Sequence, residues 1–144
     1  MKFDKMNQAT LIKAAFVLLV VVSLYFLIRK AIRTAKTDLY GNALGNEIQP
    51  NELSYPLNQY VALADKIHDA MAYLGTDNSA VTGIISKMQN LSDLLQLIKA
   101  FGARPYYGWW GDKTLQQWFQ LELSAKETAD INEVLKNKNI NFSF

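Results

Sequence analysis

Residues 14–28 form an apolar run whose one polar member is Ser23. Extended back to residue 9, the run is interrupted only by Thr10, Lys13 and Ser23. About 20 helical residues rising about 1.5 Å each match about 30 Å of bilayer hydrocarbon. Lys13 stands one turn inside the first end, where its butyl stem can reach the headgroups. Tyr25 stands near the other end, a suitable place for an interfacial aromatic. After Ile28 the sequence turns basic, with Arg29, Lys30, Arg33 and Lys36 at helical spacing, a cluster suited to anionic headgroups. The run therefore predicts one N-terminal transmembrane helix in a single-pass membrane protein. A cleaved signal peptide fits less well, because the exit is basic and lacks a small-x-small site.

Charge divides the chain at the same place. Residues 1–36 hold Lys2, Lys5, Lys13, Arg29, Lys30, Arg33 and Lys36 against Asp4 alone, whereas the remainder has more acidic than basic residues. The overall net charge of +2 thus describes the N-terminal segment and does not describe a nucleic-acid platform, which requires a dense positive groove. No cysteine is present, which excludes disulfides, thiol nucleophiles and thiolate metal sites.

Three regions follow: an anchor with basic flanks at 1–36, a linker at 37–56, and a helical domain at 57–144. The linker assignment rests on Gly41, Asn42, Gly45, Asn46, Pro50, Asn51 and Pro56, which interrupt any periodicity. Five helical segments come next. The first covers about residues 57–74, with Val61, Ala64, Ile67, Met71 and Leu74 on one stripe. The second covers about 77–89 after Thr76 as N-cap, and the third about 92–101, stopped by Gly102. The fourth runs from Asp112 as N-cap to Leu123, with Leu115, Trp118 and Phe119 inward. The fifth opens on a capping box, Ser124-x-x-Glu127. The closing segment keeps Ile140, Phe142 and Phe144, for folding back on the bundle or meeting a partner. No stretch alternates with period two, so no sheet is expected and the fold class is all-α.

The run Ala70-Met71-Ala72-Tyr73-Leu74-Gly75-Thr76-Asp77, followed in order by Phe101-Gly102 and Leu121-Glu122-Leu123-Ser124, resembles a single annexin repeat. The resemblance covers about residues 57–140. With the hydrophobic N-terminus, the chain is similar to small proteins of Bacteroidota bacteria and their phages that join an anchor to one annexin-like domain. It implies a five-helix annexin-like bundle. It further implies a Ca²⁺ loop made by the carbonyls of Met71, Tyr73 and Gly75 and capped by the carboxylate of Glu122. Tyr73 departs from the family pattern, which has glycine at that position. Annexins usually combine four repeats in a disc, so a single repeat either self-associates or serves another use.

Tyr106, Tyr107, Trp109 and Trp110 crowd the connection before the fourth helix. They suit a protein interface, where Trp and Tyr dominate binding energy, or a bilayer surface, or simple completion of the core. His68 is the only histidine, placed among Asp65 and Asp69 on what reads as a solvated face. No phosphate loop, dinucleotide fingerprint, nucleophile elbow or zinc motif occurs, so neither an enzyme nor a small-molecule substrate is expected, and no cofactor beyond the possible Ca²⁺. Taken together, the expectation is a structural protein of a membrane-containing assembly, with a phage virion favoured. Its helical domain would contact capsid or sister copies, and its membrane would be the virion's internal one or a bacterial cell membrane. The alternative expectation is an envelope protein whose repeat binds Ca²⁺ and phospholipid.

Overall fold

The structure, a computed structural model, describes residues 8–72, 75–107 and 111–144, with the side chains of 8–11, 29, 30 and 32–43 outside that description. Among the described residues there are six α-helices and one two-stranded sheet. The first helix, α1, is Gln8–Gly45. The chain divides into two compact units, Met1–Lys36 and Thr37–Phe144.

In the first unit, the apolar run is helical and exposed on every face, with Phe16, Leu19, Val22 and Leu27 all open. Yet among the described residues no helix is long and apolar enough to cross a membrane. This corrects the expected transmembrane helix and, with it, the single-pass localisation. Crossing about 30 Å of hydrocarbon takes about 20 predominantly apolar helical residues, and no described helix meets that requirement. Lys13 and Tyr25 are exposed on α1, with the Tyr25 ring edge-on to Phe26 at 5.7 Å. The side chains of Arg29, Lys30, Arg33 and Lys36 lie outside the described residues.

The second unit holds the core. The segment expected to be a linker is structured instead. Helix α1 continues to Gly45, Leu44 packs on the core and Ile48 is buried. Residues 49–55, including the 3-10 turn Pro50–Glu52, then lie as a strap held by long-range hydrogen bonds. Gln49 N–H donates to Ser92 Oγ at 3.0 Å, and Ser54 N–H to Asp93 Oδ1 at 2.8 Å. Gly and Pro interrupt periodicity without freeing the chain, because these polar groups and apolar anchors have partners about forty residues away.

Helix α2 is Leu57–Met71. Ala64, Ile67 and Met71 are buried as expected, but Val61 is 49% exposed, and Tyr60 and Leu63 take the core positions. Helix α3, Asn78–Ile85, is shorter than expected. Its N-cap is Asp77, whose carboxylate accepts from Ala80 N–H, and not Thr76. Helix α4, Leu91–Phe101, starts at Asn90, which caps Asp93 N–H, and stops at Gly102 with φ 60°. Helices α2 and α4 pack together and bury Leu94, Leu97, Ile98 and Phe101.

A hairpin then corrects the expectation of no sheet. Strands β1 (Ala103–Pro105) and β2 (Asp112–Thr114) pair antiparallel, Arg104 opposite Lys113. Three residues each are too few to show a period of two. Asp112 therefore lies in a strand, and Thr114 caps α5 (Leu115–Glu122) through a capping box with Gln117. Trp118 and Phe119 point from α5 into the core. Helix α6, Ala125–Asn137, opens on the expected Ser124–Glu127 box. Its apolar positions Ile131 and Leu135 close the core, with Ile140 beyond them.

Candidate functional site

The α2–α3 connection, the hairpin and the end of α5 meet at Glu122. Its position follows from α5, which buries Trp118 and Phe119 and so turns the last residue of the helix toward the hairpin. Tyr106 O–H donates to Glu122 Oε1 at 2.7 Å, and Thr76 O–H donates to Oε2 at 3.2 Å. The carboxylate thus ties together segments 46 residues apart. It also raises the Tyr106 hydroxyl to about 12, with burial adding to its effect. The Tyr107 hydroxyl is raised as well, by burial first and by Glu122 next.

Aromatic rings carry the tie inward. Tyr106 stands edge-on to Tyr107 at 4.5 Å and to buried Trp118 at 4.8 Å. Tyr107 is 48% exposed and has φ 37°, a left-handed conformation costly for a bulky residue. Trp118 also meets His68, edge-on at 5.1 Å. Arg104 flanks this group: its guanidinium donates to Asp65 at 2.7 Å and covers the Phe101 ring at 4.8 Å. Burial and then Arg104 hold the His68 pKa below its usual value, against the pull of Asp69 and Asp65. Among the described residues, His68 Nε2 and Trp118 Nε1 are buried without a hydrogen-bond partner.

The expected sites can now be placed. Met71 is buried at the end of α2, Gly75 is exposed with φ 87°, and Glu122 faces the same connection through Thr76. Tyr73 lies outside the described residues. The expected Ca²⁺ cap therefore faces Thr76 of the α2–α3 connection, and each of its carboxylate oxygens accepts one hydroxyl hydrogen bond. Among the described residues no group of three or more His, Asp or Glu side chains is placed to hold a metal. Of the aromatic set, Tyr106 is half-buried and Tyr107 exposed, while Trp109 and Trp110 lie outside the described residues.

A second polar centre was not anticipated. Asp93 is fully buried and accepts from Tyr60 O–H, Ser54 N–H and Gln89 N–H. Burial alone would raise its pKa; these donors outweigh burial and lower it. The sequence offered only an aspartate at the third position of a helix, which reads as an ordinary first-turn acid. Asp65 and Asp69 are solvent-facing as expected, whereas His68 turns inward onto Trp118.

Comparisons with protein-family models, curated proteins and solved structures gave no match. The annexin resemblance thus rests on the residues quoted for it.

Proposed function

We propose that this chain is a non-catalytic structural protein whose helical domain makes protein–protein contacts through the tip of the β1–β2 hairpin, with sister copies or other structural proteins of one assembly. The observation that carries this reading is Tyr107: a half-exposed aromatic at positive φ, supported by Tyr106, Glu122 and buried Trp118. An exposed tyrosine held in a strained, preorganised position loses little side-chain entropy on binding, which is the character of an interface anchor. Leu121, 52% exposed one residue before Glu122, adds apolar surface on the neighbouring helix end. The test places a benzophenone amino acid at position 107 of the full chain, with Glu133 on α6 as control position. Discrete protein adducts from position 107 and none from 133 are expected. An equal or empty pattern at both positions would remove the basis for the reading.

A second reading, Ca²⁺ binding, is favoured by one observation, the Thr76–Glu122 hydrogen bond that brings the carboxylate to the α2–α3 connection. Terbium is the suitable probe, because nearby tyrosine and tryptophan rings would sensitise its emission. Saturable emission lost on Glu122→Gln supports this reading, and emission unchanged by that substitution refutes it.

A further inference from the structure

Helices α2 and α3 leave an open cleft between them, floored by Ala70, Ala80, Gly83 and Ile84. Asp77 N–H bonds Ala70 O at 2.9 Å, so α3 begins where α2 ends, and one end of the cleft lies at that connection. Asp69 and Asp77 border this end. Lys66, about one turn earlier on α2, and Lys87, just past the end of α3, border the other. Asp77 and Lys87 are thus set apart by about 15 Å at helical rise. All four charged residues are exposed. Among the described residues neither lysine has an ion-pair partner. Asp69 lies 3.8 Å from His68 Nδ1, and Asp77 caps Ala80 N–H. Gly83 is exposed inside α3, its φ is not positive, and a Cβ built on it would meet nothing within 4 Å. Glycine weakens a helix interior relative to alanine, so packing among the described residues does not call for it. A close approach by another backbone does.

We propose that this cleft is a two-fold interface, at which α3 of a second copy lies antiparallel on α3 of the first. The observation that selects a second copy is the division of charge. A surface acidic at one end and basic at the other is complementary to its own two-fold image. Rotation alone therefore places Lys66 and Lys87 of each copy at Asp69 and Asp77 of the other. A ligand of a single charge would meet a like charge at one end of the cleft. The midpoint between Asp77 and Lys87 falls beside Gly83, where the two helices cross and where a side chain would hold them apart. Exposed ion pairs are individually weak, so the charges set register and partner choice while the small floor allows close contact. This surface shares no residue with the hairpin tip and does not depend on the reading given above.

The test uses two differently tagged copies of the full chain, co-expressed and captured through one tag in mild detergent at low salt. Recovery of the other tag is the readout. Gly83→Gln lays a side chain across the cleft without a clash inside the chain, and its recovery measures association through any other surface. Wild type should exceed that baseline by about tenfold. Lys66→Glu/Lys87→Glu copies should fall to the baseline when paired with themselves, and so should Asp69→Lys/Asp77→Asn copies, in which asparagine keeps the cap of α3. Mixed together, these two variants should regain at least the wild-type recovery, because opposite charges now face one another. Misfolding cannot produce that rescue. Wild-type recovery at the Gly83→Gln baseline overturns the proposal. So do charge variants that pair with themselves undiminished, or mixed variants that stay at the baseline.

Discussion

Replacing Asp93 should release the strap and destabilise the Thr37–Phe144 unit. The carboxylate is fully buried and its Oδ1 takes two donors, Tyr60 O–H at 2.5 Å and Ser54 N–H at 2.8 Å, while Oδ2 takes Gln89 N–H at 2.9 Å. Hydrogen bonds to a charged group contribute about 1.5–3 kcal/mol each. Three would sum to more than the observable loss, because removing the carboxylate also removes its own burial cost. A net loss of about 3–5 kcal/mol for Asp93→Ala is the expected scale. Asp93→Asn keeps the shape; with its oxygen on the two-donor side, its NH₂ meets Gln89 N–H donor to donor, costing about 2 kcal/mol. For about 108 residues the unfolding entropy is about 0.23 kcal/mol/K, so Asp93→Ala should lower Tm by about 13–22 °C. Thermal and urea unfolding of the full chain, followed by circular dichroism, measures both variants. A cycle with Tyr60→Phe should give a coupling of about 1–2 kcal/mol. The pH arm has a definite sign. The folded carboxyl titrates below its ordinary 3.8, so its contribution is complete above about pH 4 and is lost as pH falls toward the folded value. Asp93→Asn should lose that slope. An Asp93→Ala loss under about 1 kcal/mol, or zero coupling to Tyr60, would refute the argument that this carboxylate holds the strap.

Two further outcomes are expected. His68 has a folded pKa below its ordinary 6.5 because of burial and Arg104, so stability should be complete above about pH 6.5 and fall as pH drops toward the folded value. His68→Gln should flatten that part of the pH–stability profile, measured by urea midpoint. Asn139 occupies φ 58°. Asn139→Val should therefore cost about 1–2 kcal/mol and Asn139→Gly only a few tenths, read from the same denaturation curves.

The elements with local signals were legible. Ser124 with Glu127 marked the start of α6, and Gly102 the end of α4, because capping is decided within a few residues. For Phe142 and Phe144 the sequence left two outcomes open, return to the bundle or a partner, and both rings pack against the core. Other signals misled by being local. Prolines and glycines at 41–56 marked a linker at 37–56 without showing its structure, which is helix to Gly45 and then a strap pinned to α4. Val61 read as core, while Tyr60 took the inward position because its hydroxyl had Asp93 to donate to.

By itself, then, the sequence determined a largely helical chain, the stops and starts of its helices, and an apolar run at 14–28 set apart from an acidic remainder. Only the tertiary structure decided what those pieces do to one another. It corrected the transmembrane assignment among the described residues, paired β1 with β2, buried Asp93 beneath the strap, and brought Glu122 to Thr76 and Tyr106. The physical reason is range. Caps and periodicity act over one turn, whereas these hydrogen bonds join residues 16 to 46 positions apart, and such partners exist only once the helices have packed.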